Sequence, residues 1–107
     1  MINLSIVLPT YNEKDNIIDL INKIKNVIQD HSHEIIVVDD NSPDDTFEIC
    51  KKYFIENESI KMIIRKANHG LAYSIREGIE NAKGEYVVIM DTDFTHDPNL
   101  IKQMLNM

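Results

Sequence analysis

Short runs of β-branched and other apolar residues recur along the chain and predict four strands. The first run extends from Leu4 to Leu8 and stops at Pro9, the second covers 34–39, the third 60–64 and the fourth 85–90. In the second run four apolar residues follow one another without polar alternation, which is typical of a strand covered on both faces. The fourth run is also expected to be buried. These strands are therefore predicted to belong to a parallel sheet.

Apolar residues spaced by three or four positions predict helices between these strands. The first helix is predicted over 14–29, with an apolar face formed by Ile17, Ile21, Ile24 and Ile28. The second is predicted over 44–57, with its inward positions at Phe47, Cys50 and Phe54. The third is marked by Leu71, Ile75, Ile79 and Ala82 and ends before Gly84. A fourth is expected to begin at Asp97, with Pro98 at its first position.

Alternation of strands and helices predicts an α/β fold of one domain, residues 1–107. We expect three layers, α/β/α, around a four-stranded, mostly parallel sheet of Rossmann-like type with right-handed crossovers. In such sheets ligands bind beyond the carboxyl ends of the strands, near the point where the strand order switches. Candidate chemistry is therefore sought directly after each strand.

Composition excludes several classes of function. The 107 residues include 18 acidic and 11 basic side chains, a net charge of −7, and 43% are hydrophobic. This balance is typical of a globular domain and argues against nucleic-acid binding, which needs a basic surface. The longest apolar run, Tyr86 to Met90, is too short to span a bilayer. Since the chain has one cysteine, Cys50, and no signal-like start, we expect a cytoplasmic protein and a buried, structural thiol.

Acidic residues follow three of the predicted strands. Because these strands are parallel, their ends meet at one edge, and the side chains expected there are Glu13, Asp39, Asp40, Asp91 and Asp93. Capping explains Asp44, Asp45 and Asp97, but not the pair after the fourth strand. Residues i and i+2 of an extended segment point the same way, so Asp91 and Asp93 are predicted to share one divalent cation.

Four motifs in order resemble the family-two glycosyltransferases with the GT-A fold. They are Pro9-Thr10-Tyr11-Asn12-Glu13, Val37 to Asp44, Gly70-Leu71-Ala72 and Asp91-Thr92-Asp93. The stretch from Val88 to Pro98 is most similar to dolichyl-phosphate mannose synthases and related polyprenyl-phosphate sugar transferases. The resemblance covers essentially the whole chain.

This resemblance implies a donor site for a nucleotide-diphosphate sugar, GDP-mannose or UDP-glucose. Pro9, Tyr11 and Glu13 would hold the nucleotide, Val38 and Asp40 would contact the base region, and Asp39 would support the loop. Asp91, Thr92 and Asp93 would bind the donor, with Asp91 and Asp93 as catalytic residues that hold Mg²⁺ or Mn²⁺. The acceptor would be a polyprenyl phosphate, which places the full-length form at the cytosolic face of a membrane.

Three positions depart from the family's pattern. Asp45 stands where relatives often have glycine, Thr95 replaces a glutamine that adds a metal ligand in some relatives, and the Gly70 motif lacks a second glycine. His69 and His96 lie nearer the expected site than His31 and His33, which we interpret as loop residues.

The resemblance also implies an acceptor half, which would follow the metal motif. We therefore interpret the chain as the N-terminal, donor-binding half of a GT-A domain, and expect no sugar transfer by these residues alone. An exposed edge at the fourth strand would invite self-association. Two alternatives remain open: an inactive nucleotide-sugar-binding or interaction module of the same fold, and a receiver-like signalling domain.

Overall fold

The computed structural model describes residues 2–90, and within them four parallel strands form one sheet. The strands are β1 (Leu4–Thr10), β2 (His33–Asp39), β3 (Ile60–Ile64) and β4 (Tyr86–Ile89), in the order β3-β2-β1-β4. The helices α1 (Ile17–Val27), α2 (Thr46–Tyr53) and α3 (Leu71–Asn81) connect them. The predicted α/β class and parallel sheet are confirmed, and the helix expected at Asp97 lies outside the described residues.

Strand β1 continues two residues beyond its predicted last residue, Leu8, and includes Pro9 and Thr10. The Val7 carbonyl oxygen accepts the Met90 N–H at 3.0 Å, so odd-numbered residues of β1 turn their backbone groups towards β4. The β4 ladder ends opposite Val7, while β2 continues beside Pro9 and Thr10. The proline nitrogen therefore lies beyond the β4 ladder, and its missing N–H costs no strand hydrogen bond.

The main core lies between one face of the sheet and the helices α1 and α2. All four predicted inward residues of α1 are fully buried there, as is Cys50 of α2, while Phe54 is nearly so. Burial, and then the charge of Asp39, raises the pKa of the Cys50 thiol to about 12. The thiol is therefore protonated and inert at neutral pH, as the sequence predicts.

Helix α3 covers the opposite face, but with a different side from the one the apolar spacing indicates. Its buried residues are Ser74 and Gly78, whereas Leu71 and Ile79 are exposed. A Cβ at position 78 would lie 2.3 Å from Val7 Cγ1, so only glycine allows the helix to come this close. The backbone of α3 packs directly on the sheet at Gly78, in place of the apolar side chains that the sequence predicts at this contact.

Strand β4 is more exposed than its apolar sequence predicts. Tyr86, Val87 and Ile89 are all exposed, and within residues 2–90 the strand pairs only with β1. Helix α3 lies over β1 and β2 and leaves the outer strand largely uncovered. The expectation that β4 forms an open edge is therefore confirmed for the described part of the chain.

Helix α2 begins two residues later than predicted because Asp45 is left-handed, with φ of 68°. A residue in this conformation cannot belong to a right-handed helix. The backbone at position 45 thus keeps the conformation that the family's glycine adopts freely, and aspartate is one of the few other residues that tolerates it.

At the amino-terminal edge of the sheet, a buried carboxylate joins three strands to the α3–β4 connection. Glu34 accepts hydrogen bonds from Ser5 Oγ and the Lys83 N–H, each at 2.6 Å, and from the Lys61 ammonium. The Gly84 N–H donates in turn to Ser5 Oγ at 2.8 Å. Burial alone would raise the pKa of Glu34, but the donors on Lys61, Ser5 and Lys83 outweigh it and lower this pKa.

We expect Glu34→Gln to lower the free energy of unfolding at pH 7 by about 1–3 kcal/mol, because the charge-assisted hydrogen bonds are lost. The half-exposed Lys61 contributes little of this value. Since the folded-state pKa is lowered, the stabilisation is complete above the unfolded value of 4.5 and disappears as the pH falls through the folded-state pKa. Urea denaturation should therefore show the difference between variant and wild type shrinking below pH 4.5.

The matched control is Glu80→Gln, since Glu80 forms an exposed pair with Arg76 on α3. We expect it to change stability by less than about 0.5 kcal/mol at any pH. A Glu34→Gln difference that stays constant down to pH 3 would contradict an ionised Glu34 in the folded protein.

Candidate functional site

The candidate site lies at the carboxyl ends of β1 and β2, the two central strands. Thr10 and Asp39 are partners in the parallel register, and the Asp40 N–H donates to the Thr10 carbonyl oxygen at 3.0 Å. The strand order runs outward from β1 through β2 to β3 on one side and to β4 on the other. The order therefore switches beside β1, where ligands bind in sheets of this kind.

Asp39 holds the strand-end loops together. Its carboxylate is fully buried and accepts hydrogen bonds from Thr10 Oγ1 (2.7 Å), Ser42 Oγ (2.7 Å) and the Ser42 N–H (2.8 Å). Ser42 Oγ also accepts the Asn12 N–H at 2.9 Å. Three donors offset the cost of burying the charge and fix the loop after β1 against the loop after β2.

Asp44 provides a second connection between the same loops. Its carboxylate accepts the Lys14 N–H (3.2 Å), the Thr46 N–H (3.0 Å) and the Thr46 hydroxyl, whose oxygen accepts the Glu13 N–H at 3.0 Å. Burial would raise the pKa of Asp44, but the Thr46 and Lys14 donors outweigh it and lower this pKa. The expected capping role therefore belongs to Asp44, whereas the side chain of Asp45 makes no capping bond.

Asp40 turns the other way, towards the loop that precedes α3. Asp40 Oδ1 lies 2.7 Å from His69 Nδ1, and Oδ2 accepts the Gly70 N–H at 2.9 Å. Gly70 has φ of 136°, which only glycine adopts without strain. The carboxylate thus reaches the amino-terminal end of α3, where a negative charge is favourable.

A cavity of about 510 Å³ opens at these loops, lined by Tyr11, Asp40, Asn41, His69 and Gly70. Tyr11 is 56% exposed, so its ring is available to a ligand. A larger depression of about 730 Å³ lies near Tyr53, at the far ends of α1 and α2. Both cavities have polar linings, and we assign the site to the smaller one because it lies at the carboxyl ends of the strands, where ligands bind in parallel sheets.

The residues predicted for the site divide into three groups. Tyr11 and Asp40 line the same cavity, although 28 residues lie between them in the sequence. Pro9 and Val38 are register partners, but Val38 is fully buried in the core under α3, so its side chain does not reach the cavity. Glu13 accepts a hydrogen bond from Asn16 Nδ2 at 3.2 Å.

The predicted metal motif, Asp91-Thr92-Asp93, lies outside the described residues. Within 2–90, no group of three or more His, Cys, Asp or Glu side chains is arranged to hold a metal ion. Among the helices of this part, none has both the length and the apolar character that crossing a membrane requires.

Sequence reasoning missed the groups that organise the site. The sequence indicates Thr10 and Ser42 only as members of motifs and gives no role to His69, although each bonds an aspartate at the end of β2. A hydroxyl residue at a strand end beside a buried carboxylate is a usable signal, but which aspartate it meets depends on strand register.

Comparison with known proteins identifies related sequences and folds. Residues 5–107 match the family model described as glycosyl transferase family 2. The dolichol-phosphate mannosyltransferase of Pyrococcus furiosus is 36% identical over 102 residues, which cover 95% of this chain and 29% of that protein.

Two solved structures share the fold at high similarity. The S. aureus TarS structure in complex with UDP-GlcNAc has a TM-score of 0.78 and 29% identity, over 98% of this chain and 30% of that one. The mannosyltransferase PcManGT from Pyrobaculum calidifontis, in complex with GDP-Man and Mn²⁺, has a TM-score of 0.77 and 25% identity, over 94% and 31%. The chain thus spans about a third of the length of these relatives.

We expect Thr10→Val to lower the free energy of unfolding by about 1.5–3 kcal/mol, because it keeps the shape but removes a hydrogen bond to a buried charge. Thr10→Ser, which keeps the hydroxyl, is the matched control and should lose less. Chemical denaturation measures both variants. Equal stability of Thr10→Val and wild type would contradict the role assigned to the Thr10–Asp39 bond.

Proposed function

The chain belongs to glycosyltransferase family 2, and from this premise we propose that it forms the donor-binding part of a hexosyltransferase. The donor is a nucleotide-diphosphate sugar, GDP-mannose or UDP-glucose, and the acceptor is a polyprenyl phosphate. The observation that carries the proposal is the meeting of Tyr11 and Asp40 in one cavity at the strand-order switch. Aromatic and acidic side chains together suit a nucleoside, which offers a flat ring and N–H and O–H donors.

Each residue of the site has a separate part in binding. The Tyr11 ring packs beside the base, and the Asp40 carboxylate accepts hydrogen bonds from the base or ribose. Pro9 and Glu13 shape the loop that carries Tyr11, and Asp39 fixes that loop against the end of β2. Val38 supports Asp40 from the core, in place of the direct contact that the family resemblance implies.

Asp91, Thr92 and Asp93 would hold the diphosphate side of the donor. In the sequence the motif directly follows Met90, whose N–H donates to the carbonyl oxygen of Val7 in the central strand β1. Two carboxylates with extended i, i+2 spacing suit a divalent cation, and we assign Mg²⁺ or Mn²⁺ to them. When bound, the cation would neutralise charge on the leaving diphosphate.

The transfer forms a bond between an oxygen of the acceptor phosphate and C1 of the sugar. The bond from C1 to the diphosphate oxygen breaks, and its electron pair leaves with the nucleoside diphosphate. A phosphate monoester is already anionic at neutral pH, so no protein base has to remove a proton. Catalysis then depends on alignment of the reactants and on charge stabilisation.

The similar proteins support a nucleotide-sugar donor, but they differ in which nucleotide sugar they bind. PcManGT is described with GDP-Man and TarS with UDP-GlcNAc, so the shared fold accommodates either base. We place the complete protein in the cytoplasm, at the cytosolic face of a membrane, where a lipid-linked phosphate is available. Within residues 2–90, β4 forms an open edge of the sheet, on which the strand of a second chain would pair.

We expect Tyr11→Ala and Asp40→Ala to weaken nucleotide binding by about tenfold each, because one stacking contact and one charged hydrogen bond are lost. Calorimetric titration of the full-length protein with GDP and with UDP, in the presence of Mn²⁺, measures the loss. Ile55→Ala is the control, since Ile55 is an exposed apolar residue that does not line the cavity. Wild-type protein that binds neither nucleotide would refute the proposed function.

We also expect Asp91→Asn combined with Asp93→Asn to abolish the dependence of GDP or UDP affinity on Mn²⁺. The amides carry no charge and are weaker ligands for the cation. Titrations with Mn²⁺ and with EDTA, on wild type and double variant, provide the comparison. Metal dependence that persists unchanged in the double variant would show that the cation binds elsewhere.

A further inference from the structure

The Asp40 carboxylate at the mouth of the cavity is bonded on both oxygens by the loop before α3. His69 Nδ1 lies 2.7 Å from Oδ1, and the Gly70 N–H lies 2.9 Å from Oδ2. The Asp40 side chain is 14% exposed and His69 is 50% exposed. The carboxylate therefore faces the cavity with a small, defined part of its surface.

Two donors on two different oxygens fix the plane of a carboxylate. The terminal torsion of aspartate is broad, so one donor leaves the group free to turn. Each carboxylate oxygen can accept about two hydrogen bonds, so Oδ1 and Oδ2 each keep capacity for a ligand. The directions of the remaining lone pairs are fixed before a ligand binds, which lowers the entropic cost of binding.

His69 can act in this way because its own loop is anchored. Arg65 Nη2 donates to the carbonyl oxygens of Ala67 (3.2 Å) and Asn68 (3.1 Å), and Arg65 Nη1 pairs with Glu77 of α3. The Arg65 N–H donates to the Asp39 carbonyl oxygen at 2.8 Å. The loop is thus attached to both α3 and the end of β2.

The chemistry of the contact determines which ring nitrogen carries a proton. An ionised carboxylate only accepts hydrogen bonds, so His69 Nδ1 is the donor whether the ring is neutral or charged. Because His69 is half-exposed to solvent, its pair with Asp40 contributes little to folding. Its main consequence is the direction in which Asp40 points.

We infer that His69 is a positioning residue that holds the Asp40 carboxylate in the orientation required to accept hydrogen bonds from the donor's nucleoside. The inference rests on the proposed function, and it gives a role to a side chain outside the four family motifs. His69 acts through Asp40 and its effect should vanish when Asp40 is removed.

The test is calorimetric titration of the full-length protein with GDP and UDP, using His69→Ala and His69→Asn. We expect His69→Ala to bind the preferred nucleotide about tenfold more weakly, the scale of one hydrogen bond to a charged group. His69→Asn should recover most of the affinity, because its amide N–H can replace Nδ1–H. His31→Ala, a change of the same residue type before β2, should leave the affinity unchanged.

A double-mutant cycle with Asp40→Ala separates positioning from general damage. In the Asp40→Ala background, we expect His69→Ala to cause no further loss. An equal loss in both backgrounds, no loss in the wild-type background, or a His69→Ala protein that fails to fold would each overturn the inference. If the inference about His69 fails, the proposed function still stands as long as the wild type binds a nucleotide and Asp40→Ala weakens that binding. A wild-type protein that binds no nucleotide would overturn both the inference and the proposed function.

Discussion

The buried charge of Asp39 is the constraint on which the site depends. A carboxylate removed from water requires hydrogen-bond donors, and the chain supplies them from two loops that are about 30 residues apart in sequence. Those donors bring the loop after β1 against the loop after β2, and Tyr11 and Asp40 are presented to one cavity as a result. The site is thus organised by a group that a ligand need not touch.

Local periodicity predicts most of the fold. The β3 bounds agree with the sequence prediction, because the strand is a short apolar run. The inward residues of the first helix are the expected ones, because that helix buries a single apolar face. The α3 face was not predictable in this way, since a glycine contact at position 78 overrides the apolar stripe. Such a contact depends on how closely two elements approach, which spacing along one helix does not encode.

The candidate site was predictable in location but not in its internal connections. Strand ends in a parallel sheet meet at one edge, so Asp39 and Asp40 were expected near Tyr11. Adjacent residues of an extended chain point in opposite directions, and so Asp39 turns into the loops while Asp40 reaches α3. Their division into a structural and a ligand-facing carboxylate follows from register, which the motif alone does not reveal.

The hydrogen bonds around Glu34 fix the number of residues that β4 can contain. The Gly84 N–H is bonded to Ser5 of β1 at the amino-terminal edge of the sheet, and the Met90 N–H is bonded to Val7, two residues further along β1. Six residue steps therefore separate two points of the chain that are both bonded to β1. Deleting or inserting one residue in this span would move every β4 side chain to the other face of the sheet, so this segment should tolerate substitution far better than any change in length.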